Sequence, residues 1–250
     1  MPRRTAKWLT CLALALSASG WSGCDTIRTP GIESLQTPAA RQSINPGIND
    51  PYLQPDVDPD VWAERFEVES REVFAAREAI ADALQLSPGM RVADVGAGTG
   101  LFVPLLASRV GTSGRVYGVD IVPAFVAHID RRARAAGLTQ VRATLCSEDS
   151  VDLSAASVDL VFVCDTYHHF EYPSATLASI HAALVDGGEL VVLDFERIPG
   201  VSSDWILGHV RAGREVFQSE IEAAGFELVE EISTVPLREN YMLRFRKLAS

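Results

Sequence analysis

Three glycines and two carboxylates form the stretch of this sequence best suited to holding a ligand. In Val92-Ala-Asp-Val-Gly-Ala-Gly-Thr-Gly100 a β-rich run ends directly in Gly96, Gly98 and Gly100, and a helical pattern opens next. Glycines at such a turn let the chain reverse sharply and let a ligand approach the main chain with no Cβ in the way. The spacing is GxGxG, unlike the GxGxxG that seats a pyrophosphate at a helix N-terminus. Asp94, two residues before the first glycine, is placed to help hold an ammonium group. Asp120 ends the next β-rich run, where a carboxylate accepts hydrogen bonds from both ribose hydroxyls. Ala97 and Ile121 belong to the same two turns.

A second group, Cys164-Asp-Thr-Tyr-His-His-Phe-Glu-Tyr-Pro173, closes the fourth β-rich run. Ligands of open α/β sheets bind at the carboxyl ends of the strands, so this segment faces the glycine loop. Asp165, Tyr167, His168 and His169 are candidate base or orienting groups, and the rings of Tyr167, Phe170 and Tyr172 suit a cationic ligand. His168 and His169 are adjacent, the wrong spacing for two ligands on one helical face, so no metal site is expected. Three further groups are candidates for an acceptor pocket. They are Glu67, Arg71 and Arg77; then Trp205, His209 and Arg211; then Arg238, Glu239, Asn240 and Tyr241. His181 is assigned to packing or solvent.

The elements that must position these groups alternate. Asp58-Pro59 is a helix start, a capping side chain followed by proline in the first turn. Trp62, Phe66, Val73, Ile80 and Leu84 recur at four- and seven-residue spacing, which predicts one leading helix ended by Ser87-Pro88-Gly89. Strands are predicted at 91–95, 115–119, 141–145, 158–164 and 189–195, with helices at about 101–109, 123–136 and 174–185. Near-continuous apolar strands separated by helices imply a parallel sheet covered on both faces. The tail departs from this. Helices near 203–212 and 214–224 lead to strands at 227–233 and 240–248, joined by a connection too short for a parallel crossover. The last two strands are therefore expected to be antiparallel.

From about residue 61 to residue 247 the sequence resembles the class I S-adenosylmethionine-dependent methyltransferases, nearest to the small-molecule branch that includes the quinone-biosynthesis C-methyltransferases. The resemblance rests on VADVGAGTG at 92–100, VYGVD at 116–120, SVDLVFVCDTYHHF at 157–170 and LVDGGELVVLDF at 184–195. It implies an α/β, Rossmann-like fold. The seven-stranded, mostly parallel sheet would have the order 3-2-1-4-5-7-6, an antiparallel C-terminal strand and helices on both faces. It also implies S-adenosylmethionine as the cofactor, its methionine part held by Asp94, Gly96, Ala97, Gly98 and Gly100, and its ribose by Asp120 beside Ile121. After the third strand the family carries Gly-Asp-Ala, whose acid meets the adenine amino group. Here the stretch is Cys146-Ser-Glu-Asp149, so the contact passes to Glu148 or Asp149. Transfer of an activated methyl group needs alignment and, where required, proton removal. Those roles fall to Asp165, Tyr167, His168 and His169, with Asp165 also counted among the cofactor contacts. With that strand order Cys146 and Cys164 lie three strands, roughly 14 Å, apart, too far for a disulfide, and are expected to be small core residues.

The chain has 250 residues, of which 47% are hydrophobic and 22% charged, which excludes a disordered chain and a multi-pass membrane protein. Its four cysteines are too few for a disulfide-built scaffold. Three basic residues (Arg3, Arg4, Lys7) precede a short apolar run and Ser22-Gly23-Cys24, a pattern resembling a lipoprotein signal, with Trp21 where an aliphatic residue is usual. The expected division is a leader at 1–23, a Pro-rich tether at 24–57 anchored by lipid at Cys24, and a catalytic domain at 58–250. That domain divides into a leading helix to 87, a cofactor-binding core to 195, and a substrate cover with the C-terminal hairpin. Of the 22 basic and 33 acidic residues, 19 and 33 remain after the leader, so no nucleic-acid partner is expected. The expected partner is a small-molecule acceptor, the membrane being met through the anchor. The expected location is exported, facing the periplasm or cell exterior, with a cytoplasmic protein as the alternative. Two other functions compete. One is a catalytically silent lipoprotein binding a nucleoside or a partner. The other is a nicotinamide dehydrogenase, disfavoured by the glycine spacing and the hairpin.

Overall fold

The computed structural model describes residues 42–68 and 71–249, so the leader and Cys24 lie outside the described residues. Seven strands form one sheet in the order β3-β2-β1-β4-β5-β7-β6. They are β1 Arg91–Val95, β2 Arg115–Asp120, β3 Val141–Leu145, β4 Val158–Cys164, β5 Leu184–Phe195, β6 Phe226–Glu231 and β7 Asn240–Lys247. Strands β1 to β5 pair in parallel, while β7 runs antiparallel to both β5 and β6. Fold class, strand order and the antiparallel tail agree with the sequence reading.

Alternation along each strand builds two cores. Ala93, Val95, Val161, Val163, Leu190 and Val192 face one layer, where they meet Leu177 and Ile180 of α6 (Pro173–Ala183) and Phe217 and Ile221 of α8 (Arg214–Ala223). Val92, Leu160, Phe162, Val191 and Leu193 face the other. There they meet Ile80 of α3 (Arg77–Ala83), Leu106 of α4 (Val103–Val110) and Ile129 of α5 (Pro123–Ala135). Apolar side chains removed from water on both faces are the main stabilising term of such a sheet. Strand β5 starts five residues earlier than its apolar run. Leu184 pairs with Val158 and Glu189 with Leu160, so residues 185–188 bulge out of the ladder.

The leading helix is broken into α1 Pro59–Phe66, α2 Glu72–Ala75 and α3. Asp58 caps α1 as expected, accepting from the Asp60 amide at 3.0 Å. After Phe66 the chain leaves helical geometry at Glu67, whose carboxylate accepts from Thr99 Oγ1 at 2.8 Å and Arg132 Nη1 at 2.7 Å. Seven-residue spacing keeps Phe66, Val73 and Ile80 in phase whether or not the helix is continuous, so the break leaves no mark in that pattern. The Pro-rich stretch read as a tether is also different at its end. Residues 42–57 form turns that pack on the domain, Ser43 Oγ donating to Glu171 Oε2 at 2.6 Å and the Ile44 amide to the Glu171 carbonyl at 2.9 Å. No helix among the described residues is long and apolar enough to cross a membrane.

Candidate active site

The carboxyl ends of β1, β2 and β4 open into a cavity of about 620 Å³, a size suited to a small-molecule ligand. Its floor is the glycine loop. Gly96 sits at φ +71°, and a Cβ there would fall 2.1 Å from Thr166 Cγ2, so only glycine lets the loop pass beneath the end of β4. The Gly98 amide donates to Asp120 Oδ2 at 2.8 Å, and the Val122 amide donates to Asp120 Oδ1 at 2.9 Å. These bonds aim the carboxylate into the cavity and leave further lone pairs on both oxygens for ribose hydroxyls.

Asp94 and Asp120 are both buried, and burial pushes both up. Asp94 rises to about 7, the nearby Asp120 charge adding to the effect, while backbone donors hold Asp120 to about 6. Asp94 Oδ2 has no hydrogen-bond partner among the described residues. An orphaned buried carboxylate oxygen on a cavity wall fits a ligand that brings a cation or donor of its own. Ala97, Ile121 and Glu148 also line this end of the cavity. Gly100 and Asp149 do not. The Gly100 position packs against Ile129 of α5, a structural role, and of the two acids offered for adenine it is Glu148 that reaches the wall.

At the end of β4, Asp165 takes a left-handed backbone conformation, φ +48°. Arg71 Nη2 donates to one carboxylate oxygen at 2.5 Å and Asn240 Nδ2 to the other at 2.6 Å. Burial raises Asp165 to about 6 against the opposing pull of Arg71. It lines the cavity as a clamp joining β4, β7 and the start of α2.

The 3₁₀ turn Tyr167–His169 then parts three consecutive side chains, the first into the core and the next two toward the cavity. Tyr167 is fully buried in the opposite core, its ring against Phe217 and its hydroxyl donating to Glu220 Oε2 at 3.0 Å. It does not line the cavity, so its expected catalytic role is corrected: the turn rotates it away from the ligand. Tyr167→Phe is accordingly expected to leave donor binding unchanged and to cost about 1 kcal/mol of stability, the worth of one hydrogen bond, as read by denaturant unfolding. A lost affinity for donor in that variant would contradict this placement.

His168 and His169 both line the cavity. His168 Nδ1 lies 2.7 Å from Asp194 Oδ1, a carboxylate with no solvent exposure that also accepts from the His168 amide at 3.1 Å. His169 Nδ1 lies 3.2 Å from Asn49 Oδ1, and Asn49 Nδ2 donates back to the His169 carbonyl at 3.1 Å. Burial lowers His169 to about 2 and lowers His209, so both rings are neutral at ordinary pH. His209, on α7 (Asp204–His209), brings its Nε2 to 3.3 Å from His169 Nε2 and stacks on Trp205 at 4.6 Å between ring centroids.

Of the remaining candidates, Arg71, Trp205, His209 and Glu239 line the cavity. Glu67 braces the glycine loop. Arg77 lies over the Phe74 ring, Arg211 pairs with Glu220 and Tyr241 is buried in the core. His181 packs edge-on against Phe226, as expected. Among the described residues Cys146 and Cys164 form no disulfide; both are half-buried, each packs against one of the two cores, as expected, and each also reaches the cavity wall. The reading missed Asn49 and Tyr52, both on the wall, Tyr52 against Trp62 at 4.7 Å and edge-on to His169 at 5.5 Å. Their only signal was Asn-Asp-Pro-Tyr-Leu at 49–53, an aromatic island within a polar, proline-rich stretch.

Residues 86–234 match the methyltransferase domain family. A ubiquinone/menaquinone biosynthesis C-methyltransferase of Bordetella parapertussis is 31% identical over 111 residues, 44% of this chain and 43% of that protein. The corresponding protein of Xanthomonas campestris is 30% identical over 125 residues, 48% of this chain and 47% of that one. The chain thus matches about half the length of these relatives. Among solved structures, an S-adenosylmethionine-dependent methyltransferase from Aquifex aeolicus superposes with a TM-score of 0.67 at 21% identity, over 77% of this chain and all of that one. With the strand order, the glycine loop and the paired carboxylates in place, this chain belongs to the methyltransferase domain family.

Proposed function

We propose that this protein transfers a methyl group from S-adenosylmethionine to a small, lipophilic acceptor. The observation that carries this is one continuous cavity with two ends of different chemistry. Asp94 and Asp120 line it beside the glycine loop, and Phe195, Trp205 and the histidines form a second cluster. Tyr52 and Trp62 lie between, Tyr52 edge-on to His169 and Trp62 against Phe66 over Gly98. When bound, the cofactor supplies a methyl group on a positive sulfur. Asp94 holds the ammonium group, Asp120 the ribose and Glu148 the adenine edge. The aromatic end takes the acceptor and excludes water, which sharpens the electrostatics of the crevice. His168, its Nδ1–H held by Asp194, has Nε2 available as a base for an acceptor that must lose a proton. The relatives named as C-methyltransferases act in quinone biosynthesis, which supports a lipophilic acceptor here. A lipid-anchored, exported location belongs to the same proposal, and mass spectrometry of the native N-terminus tests it.

Calorimetry with S-adenosylmethionine, S-adenosylhomocysteine and NAD tests the cofactor assignment. Both sulfur compounds are expected to bind and NAD is not; the reverse would sink the proposal. The pH dependence has a definite sign. An ammonium group pairs with the ionised form of Asp94 alone, and Asp94 ionises at about 7 in the unliganded protein. Affinity is therefore expected to fall as pH drops through neutrality, with a proton released on binding in mildly acidic buffer. Comparing binding heats in buffers of different ionisation enthalpy measures that proton. A flat profile would mean Asp94 does not meet the cation.

A further inference from the structure

Three histidines meet at the acceptor end of the cavity, and the family reading assigns none of them a ligand. One ring nitrogen from each of His168, His169 and His209 lies within 4.8 Å of those of the other two. The adjacency of His168 and His169 disfavours a shared metal only where the two lie on a helical face. The 3₁₀ turn instead brings the His168 and His169 rings to 4.3 Å between centroids, and α7 adds His209 at 5.1 Å from each. We propose that these three imidazoles form a binding site for a zinc-type divalent metal, with an open coordination position toward the cavity.

Each ring is oriented for that purpose. Asp194 engages His168 Nδ1 and Asn49 engages His169 Nδ1, which leaves Nε2 of both as the lone-pair nitrogen. A buried carboxylate and a backbone-anchored amide behind two histidines are the outer-shell partners that metal-binding imidazoles use to set tautomer and direction. Trp205 stacks on His209 and fixes the plane of the third ring. A tetrahedral zinc with nitrogens at about 2.0–2.1 Å sets its ligands about 3.3–3.4 Å apart. The His169 and His209 Nε2 atoms already stand at 3.3 Å. Without metal, one of these two nitrogens must donate a proton to the other; a metal replaces that proton.

Three protein ligands and an open position are the arrangement of catalytic rather than structural zinc. Such a metal would occupy His168 Nε2 and take over proton removal from it: it would bind the acceptor's hydroxyl or thiol as its anion, the proton passing to solvent, and so present an activated acceptor to the donor end. This second step rests on the methyltransferase reading above; metal binding itself does not.

The test uses the untagged full chain, titrated with Co²⁺ and followed by visible absorption, with elemental analysis after dialysis against Zn²⁺. One equivalent is expected, with tetrahedral Co²⁺ bands and no thiolate charge-transfer band. His209→Gln and His169→Gln are expected to lose the bands, and Asn49→Ala to weaken binding about ten-fold or more. S-adenosylhomocysteine binding is expected to persist in His209→Gln, which verifies its fold. No metal uptake, uptake unaffected by these substitutions, or a thiolate band would overturn the proposal. Metal uptake without S-adenosylhomocysteine binding would spare the site and remove the methyltransferase reading; the converse would do the opposite.

Discussion

Asp94→Asn is expected to weaken S-adenosylhomocysteine binding by about 1–3 kcal/mol, roughly five- to 150-fold, as a charged hydrogen-bond partner is lost. The same substitution has a second, pH-dependent effect. Folding raises the Asp94 pKa from 3.8 to about 7, so the native state keeps a proton that the unfolded chain gives up between those values. For such an acid, the stability contribution is fully present below the unfolded value and is lost as pH rises through the folded one. Asparagine carries no charge at any pH and escapes this loss. The melting temperature of the unliganded variant, relative to that of the parent, should therefore climb between mildly acidic and mildly alkaline pH. Calorimetry and melting curves at two pH values read both effects. An offset that does not change with pH, or an unchanged affinity, would mean that the buried carboxylate is not kept for a ligand cation.

Asp194→Asn should be costly by a different route. The carboxylate is wholly buried and accepts three bonds, from the His168 amide, from His168 Nδ1 and from the Phe195 amide at 2.7 Å. An amide of the same shape turns one acceptor oxygen into a donor facing a donor. About 1.5–3 kcal/mol of stability should go with that charge-assisted bond. The His168 ring should lose its single tautomer as well, with activity or metal affinity down by about 10–100-fold. Donor affinity should stay within about two-fold, because Asp194 does not line the cavity. Nitrogen NMR of the imidazole reads the tautomer directly, and calorimetry reads the donor. An unchanged ring spectrum would show that Asp194 packs beside His168 without orienting it.

The donor end was legible because its information is local. Strand, glycine loop and terminal acid follow each other in order between residues 91 and 120, and Gly96 at positive φ beneath Thr166 is a constraint that only one residue type meets. The parallel core was legible for the same reason, since fully buried strands read as short apolar runs between helical patterns. The acceptor end was not. Tyr167, His168 and His169 are neighbours with similar claims as bases. The pitch of one 3₁₀ turn sends the first into the core and the next two into the cavity. Asn49, Tyr52 and His209 lie 120, 117 and 40 residues from His169 along the chain, and no periodicity links them to it.

By itself the sequence determined the sheet, its antiparallel end and the carboxylates set around a glycine loop, because hydrophobic period and backbone freedom act between near neighbours. Only the tertiary structure decided which histidines converge, that Asn49, Pro51 and Tyr52 wall the cavity and that the leading helix breaks after Phe66. Those outcomes depend on packing between segments far apart in the chain, where the free energy of burial chooses among arrangements that local pattern leaves equal.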